Sequence, residues 1–440
     1  MDIMELKRIN GKPCSCGREH QVAAQIYCGR GVLNSLAEIL QEYHAKKVFL
    51  LSDVNTHRVA GEKVLSILAD EGIACTDYMI AEERPEPNEI SVGSAVMHYD
   101  YSADVIIAAG SGVINDIGKI LASVANKPYI IVATAPSMDG YASATSSMTR
   151  DGLKVSIPSK TPDVIIGDTE ILRQAPMHML KAGLGDMLAK YISICEWRIG
   201  VLVTGEYYCE EIAELVRTAL RKCIDNREGL LRREDAAIEA VFAGLAICGI
   251  AMTYAGVSRP ASGGEHYLSH IWDMRGHEFG TPVDLHGIQC AIATRLTVSL
   301  YEKLKQITPD RARALAHARE FDYARWSEEM RAFLGRSAES MIALEQKEGK
   351  YDSAAHALRL ERILDRWQDI LAIIEEELPT AAELDAIFAA IDMPKTPTEI
   401  GMDPAVLPMA FKISKDIRFK YVLGHLCWDL GILDEMAEAL

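Results

Sequence analysis

Short apolar runs rich in β-branched residues alternate with longer stretches of helical periodicity along the first third of the chain. Such runs are typical of buried strands. Strands that alternate with helices indicate a parallel sheet covered by helices. The pattern predicts a helix at 57–71, a proline-rich loop at 82–88, and strands at 25–28, 47–51, 74–80, 104–109, 129–134 and 163–167.

The pattern changes after residue 138. The polar run 142–148, the pair Asp151-Gly152 and the segment 153–157 predict a β-hairpin. Beyond about residue 170 helical periodicity dominates. We therefore expect an α/β domain over 1–170 and an all-α domain over 171–440. The predicted helical stretches are 178–256, 285–305, 310–348, 352–376 and 380–391.

Two helical segments have an unusual composition. Residues 240–257 are uncharged, but they contain three glycines and stand alone, so we expect a buried helix of the all-α domain rather than membrane insertion. Residues 310–376 are dense in charge. They indicate an exposed helical hairpin, with a partner-binding arm as the alternative.

The net charge of −17 and the pI near 5.2 argue against a general nucleic-acid or anionic-membrane binder. A phosphorylated substrate would need a local basic pocket. Ten scattered cysteines and an N-terminus without the apolar core of a signal peptide favour a reducing, cytoplasmic location. Cys14, Cys16 and His20 resemble metal ligands, but no second cysteine pair follows at zinc-ribbon spacing, so a structured loop is favoured.

A glycine loop follows the strand at 104–109 and opens a helix. Closely approaching backbone and helix-start N–H groups bind phosphates, although Asn115 replaces a third glycine and a plain tight turn is the alternative. A second loop, 134–140, follows the next strand. Asp53 ends an earlier strand, where it could accept a hydrogen bond from a ribose and so favour NAD over NADP. The first loop comprises Gly110, Ser111, Gly112, Val113, Ile114, Asn115 and Asp116.

Three histidines and one carboxylate indicate a divalent-metal site. His266 and His270 share a helical face, His286 opens a later helix, and Asp186 lies upstream with Lys190 on the same face. One carboxylate with imidazoles leaves an open coordination position, as catalytic metals require. Purely structural histidines are the alternative. His277 competes as a ligand, but we expect it in a loop.

Several segments together resemble the sn-glycerol-1-phosphate dehydrogenases. These belong with glycerol dehydrogenase, dehydroquinate synthase and metal-dependent alcohol dehydrogenases. The resemblance covers nearly the whole chain and rests on the order GSGxxxD, TAPSMDGYAS, GLGDxxxK, RPASGGEHYLSH and HG.

The resemblance implies a Rossmann-like domain and an all-helical domain, with the active site in the cleft between them. It assigns the metal to Asp186, His266 and His286, and it makes His270 a substrate contact instead of a metal ligand. Asp139 and Asp186 are implied substrate contacts, and Arg259 is a candidate for the phosphate, together with Lys190 and Arg418. The implied nucleotide contacts are Asp53, Gly112 to Asp116, Thr134, Ala135, Pro136, Ser137 and Ser143.

The implied reaction is reduction of dihydroxyacetone phosphate to sn-glycerol 1-phosphate by NAD(H) or NADP(H), with one nickel, zinc or ferrous ion per chain. His270, or water relayed through Asp139, would supply the proton. Arg259 could instead fix the loop before His266. Lys190 stands where iron-type relatives have a fourth ligand, and 310–376 resembles an extended bacterial form. A homodimer or larger assembly is expected.

Three other functions stay open at this point. A lyase like dehydroquinate synthase would return the hydride within one turnover. A glycerol or alcohol dehydrogenase would take an unphosphorylated substrate. A binding protein could have kept the fold without the activity, although Asp186, His266 and His286 argue against that.

Overall fold

The computed structural model describes residues 6–150 and 153–440. The chain forms two compact units. The first runs to Met187 and also includes Glu214–Gly256, and the second comprises Leu188–Ala213 and Val257–Leu440. Residues 171–187 and 214–256 thus group with the first unit, whereas the sequence had suggested one change of domain near residue 170.

A six-stranded parallel sheet organises the first unit. Its order is β3-β10-β7-β6-β4-β5, and two short antiparallel pairs, β1-β2 and β8-β9, accompany it. The six predicted strands are confirmed, while the predicted Asp151-Gly152 turn lies outside the described residues. The strands are β1 Lys12–Pro13, β2 Glu19–His20, β3 Gln25–Gly29, β4 Lys47–Asp53, β5 Ala74–Ile80, β6 Val105–Gly110, β7 Tyr129–Ala133, β8 Thr145–Arg150, β9 Leu153–Pro158 and β10 Val164–Asp168.

Twelve α-helices occur in the described residues 6–150 and 153–255. The helix predicted at 57–71 is a π-helical turn, His57–Gly61, followed by α4. Short 3-10 turns lie at Val32–Ser35 and Gly140–Ala142. The helices are α1 Leu6–Ile9, α2 Leu36–Glu42, α3 Val54–Thr56, α4 Glu62–Asp70, α5 Glu89–His98, α6 Gly112–Ala125, α7 Thr169–Leu172, α8 Met177–Leu188, α9 Lys190–Thr204, α10 Glu210–Asp225, α11 Arg227–Leu231 and α12 Asp235–Ala255.

The long apolar helix α12 is a core helix of the first unit. By length and composition it could cross a membrane, but 78% of its apolar window is buried inside the protein. Its Phe242 ring lies against Gly167 of β10, where a methyl group would come within 2.0 Å of the ring. Burial was predicted correctly, since a helix that is apolar on every side is buried. The helix packs on the sheet of the first unit rather than within an all-helical domain.

The second unit is all-helical in its described residues. Besides α9 and the start of α10, it contains 3-10 turns at Gly335–Ser337, Pro397–Ile400 and Pro404–Val406. Its other helices are α13 Gly264–Phe279, α14 His286–Leu304, α15 Arg311–Arg319, α16 Tyr323–Leu334, α17 Ala338–Glu348, α18 Ser353–Asp365, α19 Trp367–Glu377, α20 Ala381–Ala390, α21 Leu407–Ser414, α22 Leu423–Asp429 and α23 Leu433–Ala437.

The charged segment α15–α19 is not merely an exposed hairpin, as the sequence had suggested. Trp326 Nε1 and the Tyr351 hydroxyl donate to the buried Asp416 carboxylate, at 3.1 and 2.8 Å. Arg359 makes a two-pronged ion pair with buried Asp429, at 2.8 and 2.9 Å. Charged residues dominate the composition of α15–α19. A few of its aromatic and charged side chains nevertheless attach the segment to residues 411–429.

Candidate metal and nucleotide sites

Two histidines of the second unit lie side by side. His266 belongs to the first turn of α13, and His286 is the first residue of α14. Their ring centroids are 5.0 Å apart. The ligand atoms of His266, His286 and Cys290 lie within 4.8 Å of one another, a spacing that one metal ion could bridge.

Each of these two imidazoles is held through its Nδ1 atom. His266 Nδ1 donates to the Glu265 carboxylate at 2.7 Å, and His286 Nδ1 lies 3.2 Å from the Ser269 hydroxyl. An imidazole whose Nδ1 is engaged presents Nε2 as its ligand atom, the arrangement usual for metal-binding histidines. Cys290 Sγ lies 3.5 Å from His286 Nε2.

The Ser269 hydroxyl is itself held in place. Gln289 Nε2 donates to Ser269 Oγ at 3.3 Å and to Asp273 Oδ1 at 2.8 Å. Ser269 and Gln289 are fully buried, and Asp273 is nearly so. A chain of buried polar groups therefore fixes the orientation of the His286 ring.

A second buried carboxylate faces the one that holds His266. Glu196 accepts hydrogen bonds from the backbone N–H groups of Gly264 and Leu423, at 2.7 and 2.8 Å. Burial, and next the nearby Glu265 carboxylate, raise the pKa of Glu196 to about 8. A methyl group at Gly263 would lie 2.5 Å from Glu196 Oε2 and 2.7 Å from Glu265 Oε2, so a glycine is needed there.

His270 and His277 are distinct from this pair. The half-buried His270 lies one helical turn beyond His266, with ring centroids 6.4 Å from His266 and 5.8 Å from His286. His277, which we expected in a loop, lies in the last turn of α13 and is exposed. The helix continues past His277 and ends at Gly280, which adopts the left-handed conformation typical of a helix C-terminus.

In the first unit, α8 places Asp186 next to the second predicted loop. The buried Asp186 carboxylate accepts a 3.0 Å hydrogen bond from the Asp139 backbone N–H. Gly183 lies against the Pro136 carbonyl, where a methyl group would come within 1.8 Å of the oxygen. The GLGD motif thus combines a close helix–loop contact with a carboxylate that touches Asp139.

The glycine loop has the geometry of a strand-to-helix anion site. Strand β6 ends at Gly110, Ser111 is the N-cap of α6, and the Ser111 side chain makes no capping hydrogen bond. A methyl group at Gly110 would clash with Ile114 at 2.3 Å. The first N–H groups of α6, from Gly112, Val113 and Ile114, form the arrangement that favours phosphate.

Three predicted nucleotide contacts serve the loop's own architecture. Asn115 Nδ2 donates to the Gly140 carbonyl at 3.3 Å, and Asp116 pairs with buried Lys119 at 2.9 Å. Lys119 also donates to Ser143 Oγ at 3.1 Å. Burial raises the pKa of Asp116 despite Lys119. These contacts favour a supporting role for Asn115, Asp116 and Ser143, in which they fix the loop that follows β7.

The remaining predicted nucleotide residues lie at the carboxyl ends of β4 and β7. The Thr134 N–H donates to the Gly110 carbonyl at 3.1 Å, which joins the two loops. Ala135, Pro136 and Ser137 are buried. Asp53 caps α3, and its Oδ1 accepts from the N–H groups of Asn55 and Thr56, both at 2.8 Å.

The candidate phosphate-binding cations differ in accessibility. Arg259 is 2% exposed, its guanidinium pairs with Glu206, and its Nη1 donates to the Tyr421 carbonyl at 2.9 Å. Lys190 is 1% exposed and donates to the Ala261 carbonyl at 3.0 Å. This geometry favours the loop-fixing alternative for Arg259. Arg418 is partly exposed.

The sequence interpretation missed four residues around the histidines. Glu265 and Ser269 hold the rings, Cys290 lies beside them, and buried Lys420 donates to Ser262 Oγ and to the Ser258 and Ser262 carbonyls. Cys290 follows His286 by four residues, a helical spacing that could have been noticed. The contact of Lys420 with residues about 160 positions earlier has no local signal in the sequence.

Comparison with known proteins places the chain among metal-dependent dehydrogenases. Residues 27–176 match the family of iron-containing alcohol dehydrogenases. A glycerol-1-phosphate dehydrogenase (NAD(P)+) of Halalkalibacterium halodurans is 33% identical over 305 residues, 68% of this chain and 76% of the relative. Its counterpart in Geobacillus thermodenitrificans is 27% identical over 414 residues, 93% of each chain.

A solved structure supports the fold. Sulfoacetaldehyde reductase from Bifidobacterium kashiwanohense, in complex with NAD+, superposes with a TM-score of 0.62 at 14% identity, over 96% of this chain and 98% of that one. The predicted α/β and all-helical fold class is therefore confirmed. By its similarity to curated relatives over most of its length, the chain belongs to the family of glycerol-1-phosphate dehydrogenases.

Proposed function

We propose that the protein reduces dihydroxyacetone phosphate reversibly to sn-glycerol 1-phosphate, with NADH or NADPH as the hydride donor. The single observation that carries this proposal is the pair His266 and His286, whose Nδ1 atoms are engaged while their ligand atoms converge. Family membership supplies the substrate class, because the relatives are named for glycerol 1-phosphate.

The proposed metal ligands are His266, His286 and Asp186. Two imidazoles and a carboxylate suit nickel, zinc or ferrous iron. When bound, such an ion would polarise the substrate carbonyl as a Lewis acid. Glu265 and Ser269 keep the two imidazoles oriented, and the Asp139 N–H holds one oxygen of Asp186.

The nucleotide is proposed to lie along the carboxyl edge of the parallel sheet. The N–H groups of Gly112 to Ile114 would bind its pyrophosphate, as helix starts do. Asp53 would contact the adenosine ribose with the oxygen that does not cap α3, and the backbone of Thr134 to Ser137 would line the site. Lys119 supports this edge by holding Ser143 and Asp116.

His270 or Asp139 is proposed to relay the proton that the reduced carbonyl oxygen needs. His270 is only half-buried and lies one turn from His266, so a proton could reach it from solvent. Arg418 is the preferred cation for the phosphate, because it is partly exposed whereas Arg259 and Lys190 are buried. We further propose that the enzyme works in the cytoplasm as a homodimer or larger assembly.

The test is NADH or NADPH oxidation with dihydroxyacetone phosphate after separate reloading with nickel, zinc and iron. We expect metal-dependent turnover, a product of sn-1 configuration, and little activity with glycerol. Activity with glycerol but not with the phosphate would contradict the substrate assignment. His266→Ala should lose both bound catalytic metal and turnover, and near-normal activity in that variant would contradict the metal assignment.

A further inference from the structure

A second group of metal-ligand side chains lies in the N-terminal hairpin of the first unit. The ligand atoms of Cys14, Cys16 and His20 lie within 4.8 Å of one another. Cys16 Sγ is 3.3 Å from His20 Nε2. These residues belong to neither the histidine pair on α13 and α14 nor the nucleotide loops, so the proposed reaction does not use them.

The hairpin loop is a tight turn that places several metal-ligand side chains on one side. Strands β1 and β2 are two residues long each, and Cys14 to Arg18 connect them. The Cys14 N–H donates to the Arg18 carbonyl, and the Gly17 N–H donates to the Cys14 carbonyl, both at 3.0 Å. Gly17 has a φ of +80°, in the left-handed region that favours glycine. The turn therefore brings the two cysteines and His20 to one side.

His20 is oriented as metal-binding histidines are. It is 1% exposed, and its Nδ1 lies 3.1 Å from the Tyr254 carbonyl oxygen at the end of α12. A carbonyl can only accept, so Nδ1 carries the proton and Nε2 has its lone pair towards Cys16. A backbone carbonyl in this position is a common partner of a zinc-bound histidine.

The hairpin also needs a source of stability. Two-residue strands bury little apolar surface, and an isolated hairpin is marginal in water. Its hydrogen bonds with the end of α12 include, besides that of His20, one from Arg18 to the Ala255 carbonyl at 3.4 Å and one from the Tyr254 hydroxyl to Asn10 at 3.2 Å. A bound metal would add cross-links that close the loop, as structural zinc does in small modules.

We infer that Cys14, Cys16 and His20 bind a structural zinc ion, separate from the catalytic metal. Two thiolates and one imidazole select zinc over harder cations. A structural zinc ion takes four ligands, and these three side chains of the first unit fill three of the four positions.

The test counts metals in the full-length protein, purified under reducing conditions and dialysed against a weak chelator. We expect two metal ions per chain in the parent protein and one zinc ion in the double variant His266→Ala/Cys290→Ser, which removes two ligand atoms near the catalytic metal. X-ray absorption of that zinc should show sulfur neighbours at about 2.3 Å. A double variant without zinc, or zinc with only nitrogen and oxygen neighbours, would overturn the inference.

Cys16→Ser should lower the metal count by one and leave the catalytic metal bound. Cys28→Ser is the matched control, because Cys28 is a half-buried cysteine of the same unit whose thiol has its pKa raised to about 12 by burial. It should keep both metals. A disulfide between Cys14 and Cys16 in the native protein, found by mass spectrometry, would also overturn the zinc assignment.

Discussion

The Glu265 carboxylate accepts a 2.7 Å hydrogen bond from Nδ1 of its neighbour His266, and both side chains are buried. The other Glu265 oxygen, Oε2, has no hydrogen-bond partner among the described residues. A carboxylate on Nδ1 fixes the ring and makes Nε2 a stronger ligand. Glu265 is therefore a positioning residue for the proposed metal site.

Glu265→Gln should weaken metal binding by roughly 10- to 100-fold. The amide can still accept from Nδ1, but it carries no charge to strengthen the ligand. We expect kcat to return towards the parent value at high metal concentration, as measured by activity against free metal in a buffered titration. Asp273→Asn, which alters the support of Gln289 and not the carboxylate on His266, should have a smaller effect. A kcat that stays low at saturating metal would contradict the positioning role.

Gly263→Ala should also impair metal binding, through the same carboxylate. The added methyl group would lie 2.5 Å from Glu196 Oε2 and 2.7 Å from Glu265 Oε2, so Glu265 has to move away from His266. We expect at least a tenfold loss of metal affinity. Gly205→Ala is a control, since no atom lies within 4 Å of its added methyl group, although its φ of +75° brings some strain. Unchanged metal affinity in Gly263→Ala would contradict the crowding argument.

Much of the fold could be predicted from the sequence because its strands are continuous apolar runs. β4, β6, β7 and β10 are fully or almost fully buried, as parallel strands are. The position of α12 could not be predicted in the same way. Its residues are apolar all round, so the pattern indicates burial but not whether a sheet or other helices cover it.

The candidate site was predictable only where its functional side chains lie close to one another in the sequence. His266 and His270 stand out because helical spacing brings them to one face, and His286 because it opens the next helix twenty residues after His266. The role of Arg259 depends on Glu206 and on the Tyr421 carbonyl, which are 53 and 162 residues away. No local pattern encodes such partners, and for the same reason the sequence could not relate Trp326 and Tyr351 to Asp416.

Arg418→Ala should raise KM for dihydroxyacetone phosphate at least tenfold if Arg418 binds the phosphate, because an ion pair to phosphate is lost. Any residual activity with glycerol, which lacks the phosphate, should not change. Arg418→Lys keeps the charge and should restore part of the affinity. The steady-state parameters for both substrates provide the measurement. An equal loss for phosphate and glycerol would instead indicate a structural role.

Glu196→Gln should flatten the dependence of stability on pH. The raised pKa, about 8, means that folded Glu196 holds a proton that the unfolded chain releases. The stability that this proton contributes to the folded state is fully present below the unfolded pKa of about 4.3. It is lost as the pH rises through the folded pKa of about 8. The parent should therefore lose on the order of 1 kcal/mol per pH unit within this window, relative to the variant.

The measurement for Glu196→Gln is urea unfolding between pH 5 and about pH 9, with a chelator present because metal binding itself depends on pH. The glutamine costs one acceptor for the Gly264 N–H, so the slopes are compared rather than the absolute free energies. Equal slopes in the two proteins would show that Glu196 does not hold the extra proton.

Asp416→Asn should destabilise the second unit strongly. The buried carboxylate accepts from Trp326 Nε1 at 3.1 Å, from the Tyr351 hydroxyl at 2.8 Å and from Lys415 Nζ at 2.6 Å. An asparagine offers one acceptor oxygen and leaves the buried Lys415 charge without its counter-ion, which costs about 3–5 kcal/mol.

Asp369→Asn on α19 is the control for Asp416→Asn. Its ion pair with Arg366 is about half exposed on both sides, so we expect a change below about 1 kcal/mol. Urea unfolding followed by tryptophan fluorescence suits the comparison, since Trp326 contacts Asp416 directly. If both variants lost equally little stability, the charged helices α15–α19 would not depend on this buried network for their attachment.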